Sequence, residues 1–121
     1  MCHTGAGDQE YYQCVTDVIL PLIDRVAPGF VLYDAGADVH ADDPLGLLKL
    51  TDAGIFKRDY AIIRRCLDTG VPIACVIGGG YTACRVDAAR VLGRRHSILF
   101  HAATCAWNDA SVRSVHCGTG T

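Results

Sequence analysis

The chain has 121 residues, half of them apolar and a fifth charged, a composition that fits one small folded domain and excludes a disordered segment. A net charge of −2 and a sequence pI near 6.1 give no basic footprint for direct nucleic-acid binding. Arg64-Arg65 and Arg90, Arg94 and Arg95 are locally basic and are expected on solvated helix faces.

In chain order, "MCHTGAGDQE" lacks the basic and apolar blocks of a secretion signal, and none is expected. From Asp8 the apolar positions Tyr11, Val15, Val18, Leu22 and Val26 recur at helical steps, with Asp8 as the expected N-cap and Pro28-Gly29 as the stop. Pro21 sits inside this pattern and should kink the helix or split it. "FVLYDAG" reads as a strand from Phe30 to about Tyr33. A second helix starts near Thr51-Asp52, with Phe56, Tyr60, Ile63 and Leu67 on its buried side and Gly70 just past its end. "VPIACVI" reads as a second strand, about Val71 to Ile77, broken by "GGGY". A third helix is expected near Asp87, burying Ala89, Leu92, His96, Leu99 and Ala103, with His96 a core histidine rather than a ligand. Residues 104–121 show no period and are expected to form an irregular tail, with His116-Cys117 lacking partners at metal-ligand spacing.

The order is helix, strand, helix, strand, helix, which predicts an α/β protein with a parallel sheet. "VPIACVI" is apolar at nearly every position, as strands covered on both faces are. Two such strands cannot hide themselves, so the chain reads as part of something larger that aggregates or needs a partner when alone. No apolar run reaches the roughly 18 residues of a membrane span. The seven cysteines are odd in number and contain no C-x-x-C, and three lie among apolar residues, so reduced thiols and a cytoplasmic location are expected.

Functional residues of parallel sheets gather beyond the carboxyl ends of the strands. The aspartate-rich "DAGADVHADDP" and the run Gly78-Gly79-Gly80-Tyr81 both occupy that position, so both should lie on one sheet edge. The glycines admit three readings: a phosphate cradle, although both common phosphate-loop patterns are absent; space for Tyr81 to enter a cleft and stabilise an oxyanion; or a plain turn. Asp38-x-His40 resembles a metal pair, and Asp43, held extended before Pro44, is placed to be a single ligand. Asp42 is expected to be solvated.

The stretch "FVLYDAGADVHADDPLGLLKLTDAGIFKRD" followed by "GVPIACVIGGGY", together with "TGAGDQEYYQCV" upstream, resembles the C-terminal part of the histone deacetylase family. It is most similar to the class IV and bacterial members, where a D-P-L-G-x-L-x-[LI] segment and a G-G-Y turn recur. The resemblance covers about residues 4–101, and the partial domain is expected to span 4–103. It implies an arginase-like three-layer α/β fold with a mostly parallel sheet, and zinc-dependent hydrolysis of N-acetyl-lysine or related acylated amines. It implies Asp43 as a zinc (Zn2+) ligand, Tyr81 as the oxyanion donor, and Gly79 and Gly80 as part of the wall of the acyl-lysine channel. His40 is not assigned to zinc. The family's adjacent histidines and its D-x-H ligand pair do not occur here, so the chain alone is expected to be inactive. The expected partner is an acetylated protein or small acylated amine, with no nucleic acid and no membrane, and the oligomeric state is left open. The alternative is a non-catalytic α/β interaction module; a nucleotide-binding half-domain is the third possibility.

Overall fold

A computed structural model describes residues 3–117, with side chains described as far as residue 111. Residues 118–121 of the expected tail, and the side chains of His116 and Cys117, lie outside the described residues.

Helix α1 (Asp8–Cys14) runs into a π-helical turn (Val15–Ile19) and then α2 (Leu20–Val26). Pro21 has no N–H, and its ring crowds the carbonyl four residues back, so the ladder widens just upstream of it. This wide turn adds one residue between the inward-facing positions. The buried face therefore steps from Val15 to Ile23, and the expected Val18, Leu22 and Val26 are exposed. The N-cap is Gly7 rather than Asp8. The Asp8 carboxylate instead accepts from the Thr51 amide at 2.8 Å and the Thr51 hydroxyl at 2.6 Å, which ties the start of α1 to the next helix.

Strand β1 (Val31–Asp34) and strand β2 (Ile73–Val76) pair in parallel, Val31 opposite Ile73 and Asp34 opposite Val76. Between them α3 (Asp52–Thr69) is capped by the Thr51 hydroxyl, which accepts from Gly54, and ends on Gly70 in the left-handed conformation. Both capping residues match the sequence expectation. Helix α3 buries more than one stripe. Ile62 and Cys66 pack with Val15 and Ile23, and Ile63 packs with Ala35, Leu99 and Ala106 beside the partly buried Tyr60 and Leu67. The predicted Phe56–Tyr60–Ile63–Leu67 stripe is thus only the side toward the last helix.

That helix, α4 (Ala88–Cys117), continues well past residue 104, so the expected irregular tail is corrected over 104–117. Small alanines at 102 and 106 let it lie close along α3, and its buried line is Arg95, Leu99, Ala102 and Ala106. Arg64 and Arg95 are both buried, so the solvated arginine faces expected from sequence are corrected at these two positions. Arg64 donates to Asp68 and to the carbonyl of Ala106. Arg95 belongs to the site described below.

One face of the sheet, Val31, Tyr33, Ile73 and Cys75, contacts these cores. The other is open: Leu32 is 69% and Val76 45% exposed. The expected bare sheet surface is therefore present. No helix of the described residues is long and apolar enough to cross a membrane.

Candidate active site at the strand ends

Strand pairing runs on past both strands, since Ala35 N donates to Val76 O and Ala37 N to Gly78 O, each at 2.9 Å. The aspartate loop and the glycine run therefore leave the sheet side by side, as their sequence positions predict. Gly79 (φ +54°) and Gly80 (φ +93°) take left-handed backbone that other residues rarely adopt. A Cβ at Gly79 would stand 2.5 Å from the Asp38 carboxylate, and one at Gly80 would stand 2.8 Å from His96 Nε2. The left-handed backbone is what calls for glycine at both, and the surrounding space is already filled by side chains.

Asp43 is 4% exposed at the centre of its loop. Its Oδ1 accepts from the amides of Leu45 (2.9 Å) and Gly46 (3.0 Å), and its Oδ2 accepts from the amide of Tyr81 at 2.6 Å. The first two bonds close a turn over Pro44, and the third joins the two loops. The turn is tight because a Cβ at Gly46 would meet the Asp38 carbonyl oxygen at 2.0 Å. The structure thus brings Asp43, Gly79, Gly80 and Tyr81 together. Tyr81 is 48% exposed, and no hydrogen bond of its hydroxyl is seen among the described residues.

The other acids have different partners. His40 is buried, accepts from the Asp42 amide at 3.0 Å and lies 3.2 Å from Asp52 Oδ1. Asp42 is exposed, as expected, and its Oδ2 lies 3.6 Å from Arg95 Nη2. Asp38 packs under the glycines. The loop is also held from behind by α3. Arg58 donates to the Gly36 carbonyl at 2.8 Å and to Asp59 Oδ1 at 2.8 Å, and Tyr33 donates to the same oxygen at 2.5 Å. Burial drives the Tyr33 phenol pKa up strongly, so it remains a neutral donor. Burial works against the Arg58 charge, but Tyr33 and Asp59 more than offset it and the net shift is upward.

Sequence reasoning missed Arg58, Arg95 and His96 as supports of the site. Arg95 donates to the Tyr81 carbonyl at 3.1 Å, and His96 Nε2 lies 3.2 Å from the Gly79 carbonyl. The available signal was the spacing Arg95, Leu99, Ala102, Ala106, one face of a helix whose first member is charged.

A carboxylate offers about four lone-pair sites. Three amides occupy three of those on Asp43, leaving one on Oδ2 for a cation, so this residue fits zinc as a single ligand. Among the described residues no group of three or more His, Cys, Asp or Glu side chains stands ready to hold a metal ion.

Comparison with known proteins covers the same region. The profile of the histone deacetylase domain matches residues 1–92. An uncharacterized protein of Picosynechococcus sp. is 41% identical over 99 residues, 82% of this chain and 32% of that protein. Histone deacetylase 2 of Arabidopsis thaliana is 32% identical over 89 residues, 74% of this chain and 22% of that protein. The crystal structure of the HDA15 HD domain superposes with a TM-score of 0.53 at 22% identity, covering 95% of this chain and 36% of that one. The chain spans about a third of the length of these proteins or less, and the strands and helices of the described residues are part of the α/β deacetylase fold. A matched profile over most of the chain, on a fold shared with a solved deacetylase-type domain, places this chain in the histone deacetylase family.

Proposed function

We propose that the chain contributes the Asp43–Tyr81 corner of a zinc-dependent deacetylase acting on N-acetyl-lysine or a related acylated amine. The observation that carries this reading is the 2.6 Å bond from the Tyr81 amide to Asp43 Oδ2. It sets a free phenol and a carboxylate with one vacant lone pair at neighbouring strand ends.

In this reading Asp43 is one metal ligand, and the three hydrogen bonds it accepts from backbone amides fix its carboxylate plane. A zinc ion held by Asp43 together with ligands from outside the described residues would supply Lewis acidity toward the amide carbonyl and the attacking water. Tyr81 donates its O–H to the carbonyl oxygen as that atom gains charge, a bond stronger in the transition state than in the ground state. Losing one such donor costs about 3 kcal/mol, on the order of a hundredfold in rate or more. Gly79 and Gly80 present bare backbone beside the tyrosine as part of the channel wall. The 121 residues alone are inactive in this account, since the described residues hold no group of three ligands. A cytoplasmic location is proposed on the free thiols of Cys66, Cys75, Cys84 and Cys105.

The test is a chimera in which residues 3–101 replace the matching segment of the Picosynechococcus relative. The expected protein binds one zinc, hydrolyses acetyl-lysine, and loses both properties with Asp43→Ala. A chimera that folds without zinc or turnover, or whose zinc is indifferent to Asp43→Ala, overturns the proposal and favours a non-catalytic module.

A further inference from the structure

The geometry points to Arg95 as a positioning residue for Tyr81, acting with His96 as a two-point clamp on the glycine turn. The inference rests on the deacetylase reading only for its effect on rate; the clamp itself is a matter of structure.

Tyr81 follows two consecutive residues in left-handed backbone, Gly79 and Gly80. Glycines at such positions leave the following residue with wide conformational freedom unless something fixes its backbone. Both peptide groups of Tyr81 are held. Its N–H reaches Asp43 Oδ2 at 2.6 Å, and its carbonyl accepts from Arg95 Nη1 at 3.1 Å. One residue along α4, His96 Nε2 lies 3.2 Å from the Gly79 carbonyl. Gly80 lies between these two grips, and its missing Cβ lets the His96 ring approach.

The Arg95 side chain suits this role. It is 5% exposed, on the same buried line as Leu99, Ala102 and Ala106, so its stem is fixed by packing and few rotamers are open to it. A charge at that depth needs partners. Its Nη1 has the Tyr81 carbonyl, and its Nη2 faces Asp42 Oδ2 at 3.6 Å. Asp42 adjoins Asp43, so one guanidinium ties the tyrosine to the loop that carries the carboxylate. The neighbouring Arg94 has no such part: it is largely exposed and pairs with Asp52 at 2.7 Å. Arg95 and His96 both lie beyond residue 92, where the match to the family profile ends.

The experiment is hydrogen exchange by mass spectrometry on the full chain, comparing the peptide that contains Tyr81 with peptides of α3, for Arg95→Met, Arg95→Lys and His96→Gln. Methionine keeps the packed stem and removes every donor. Lysine keeps one donor toward the Tyr81 carbonyl. We expect at least tenfold faster exchange of the Tyr81 amide in R95M with α3 unchanged, substantial recovery in R95K, and a smaller increase in H96Q. Unchanged Tyr81 exchange in R95M overturns the clamp. So does loss of protection in Tyr81 and α3 alike that R95K does not restore, since that is a purely structural role. In the chimera, R95M should lower kcat about tenfold with KM within twofold. A chimera without turnover, beside the expected exchange pattern, refutes the deacetylase reading and supports the clamp.

Discussion

Replacing Asp43 by asparagine and by alanine separates its two jobs. The carboxylate accepts from Leu45 and Gly46 on one oxygen and from Tyr81 on the other. Asparagine can keep its carbonyl toward Leu45 and Gly46, and so keeps the turn over Pro44. Its amide nitrogen then faces the Tyr81 N–H, donor against donor. One charge-assisted bond is lost and two are weakened, which predicts a cost of about 2–3 kcal/mol. Alanine orphans all three amides at a residue only 4% exposed. Three bonds to a charged acceptor sum to more than the loop will register once it relaxes, so the expected cost is about 3–5 kcal/mol. Urea unfolding followed by far-UV circular dichroism, at one protein concentration for all variants, reads the difference. D43N should unfold at lower urea than the parent, and D43A at lower urea again, with unchanged slopes. Equal midpoints for the two variants, or both within about 0.5 kcal/mol of the parent, would refute the division of labour assigned to the two oxygens.

Other consequences are open to direct measurement. Gly46→Ala should cost about 1–3 kcal/mol by denaturation, since its Cβ meets the Asp38 backbone oxygen at 2.0 Å. Gly78→Ala should cost far less, because the atom in its way is the Asp34 carboxylate, on an exposed side chain that can swing aside; equal effects would contradict this. Arg58→Ala should cost about 3–5 kcal/mol, since it leaves the buried Asp59 charge with Tyr33 as its one side-chain donor among the described residues and takes the donor from the Gly36 carbonyl. Tyr33→Phe should cost about 1 kcal/mol, and the same unfolding curves check both. Burial pushes the Cys66 thiol pKa up, so little thiolate forms at neutral pH, whereas Cys84 is exposed. Among Cys66, Cys75, Cys84 and Cys105, mass mapping of a limited alkylation should find Cys84 modified first and Cys66 last, and the reverse order would sink that assignment.

Much of the fold was legible because its signals are local. Thr51 and Gly70 cap α3 as their residue types suggest, and the strand order follows from apolar runs separated by a helical period. The first helix shows what periodicity misses: Pro21 was visible as a break, but not that a wide turn would absorb one residue and turn Val18, Leu22 and Val26 outward. The last helix runs past its expected end: residues 104–117 lack bulky apolar repeats, and alanines that pack by being small leave only a weak period. At the site, chain position alone put the loops that carry Asp43 and Tyr81 at one sheet edge, whereas the choice of these two residues within them came from the family resemblance. Arg58 and Arg95 could not, since a charge reads as solvated until its partners are known, and those partners are backbone carbonyls of distant loops. Asp8 was misassigned for a similar reason, its oxygens being taken by Thr51 far along the chain.

The account rests on the Tyr81 hydroxyl acting on the same amide that Asp43 helps a metal to engage. The kcat of the Tyr81→Phe chimera on an acetyl-lysine peptide, with zinc content measured on the same sample, tests this most directly. The account predicts a fall of about a hundredfold or more in kcat with zinc retained. A kcat within threefold of the unsubstituted chimera, at equal zinc, would contradict it.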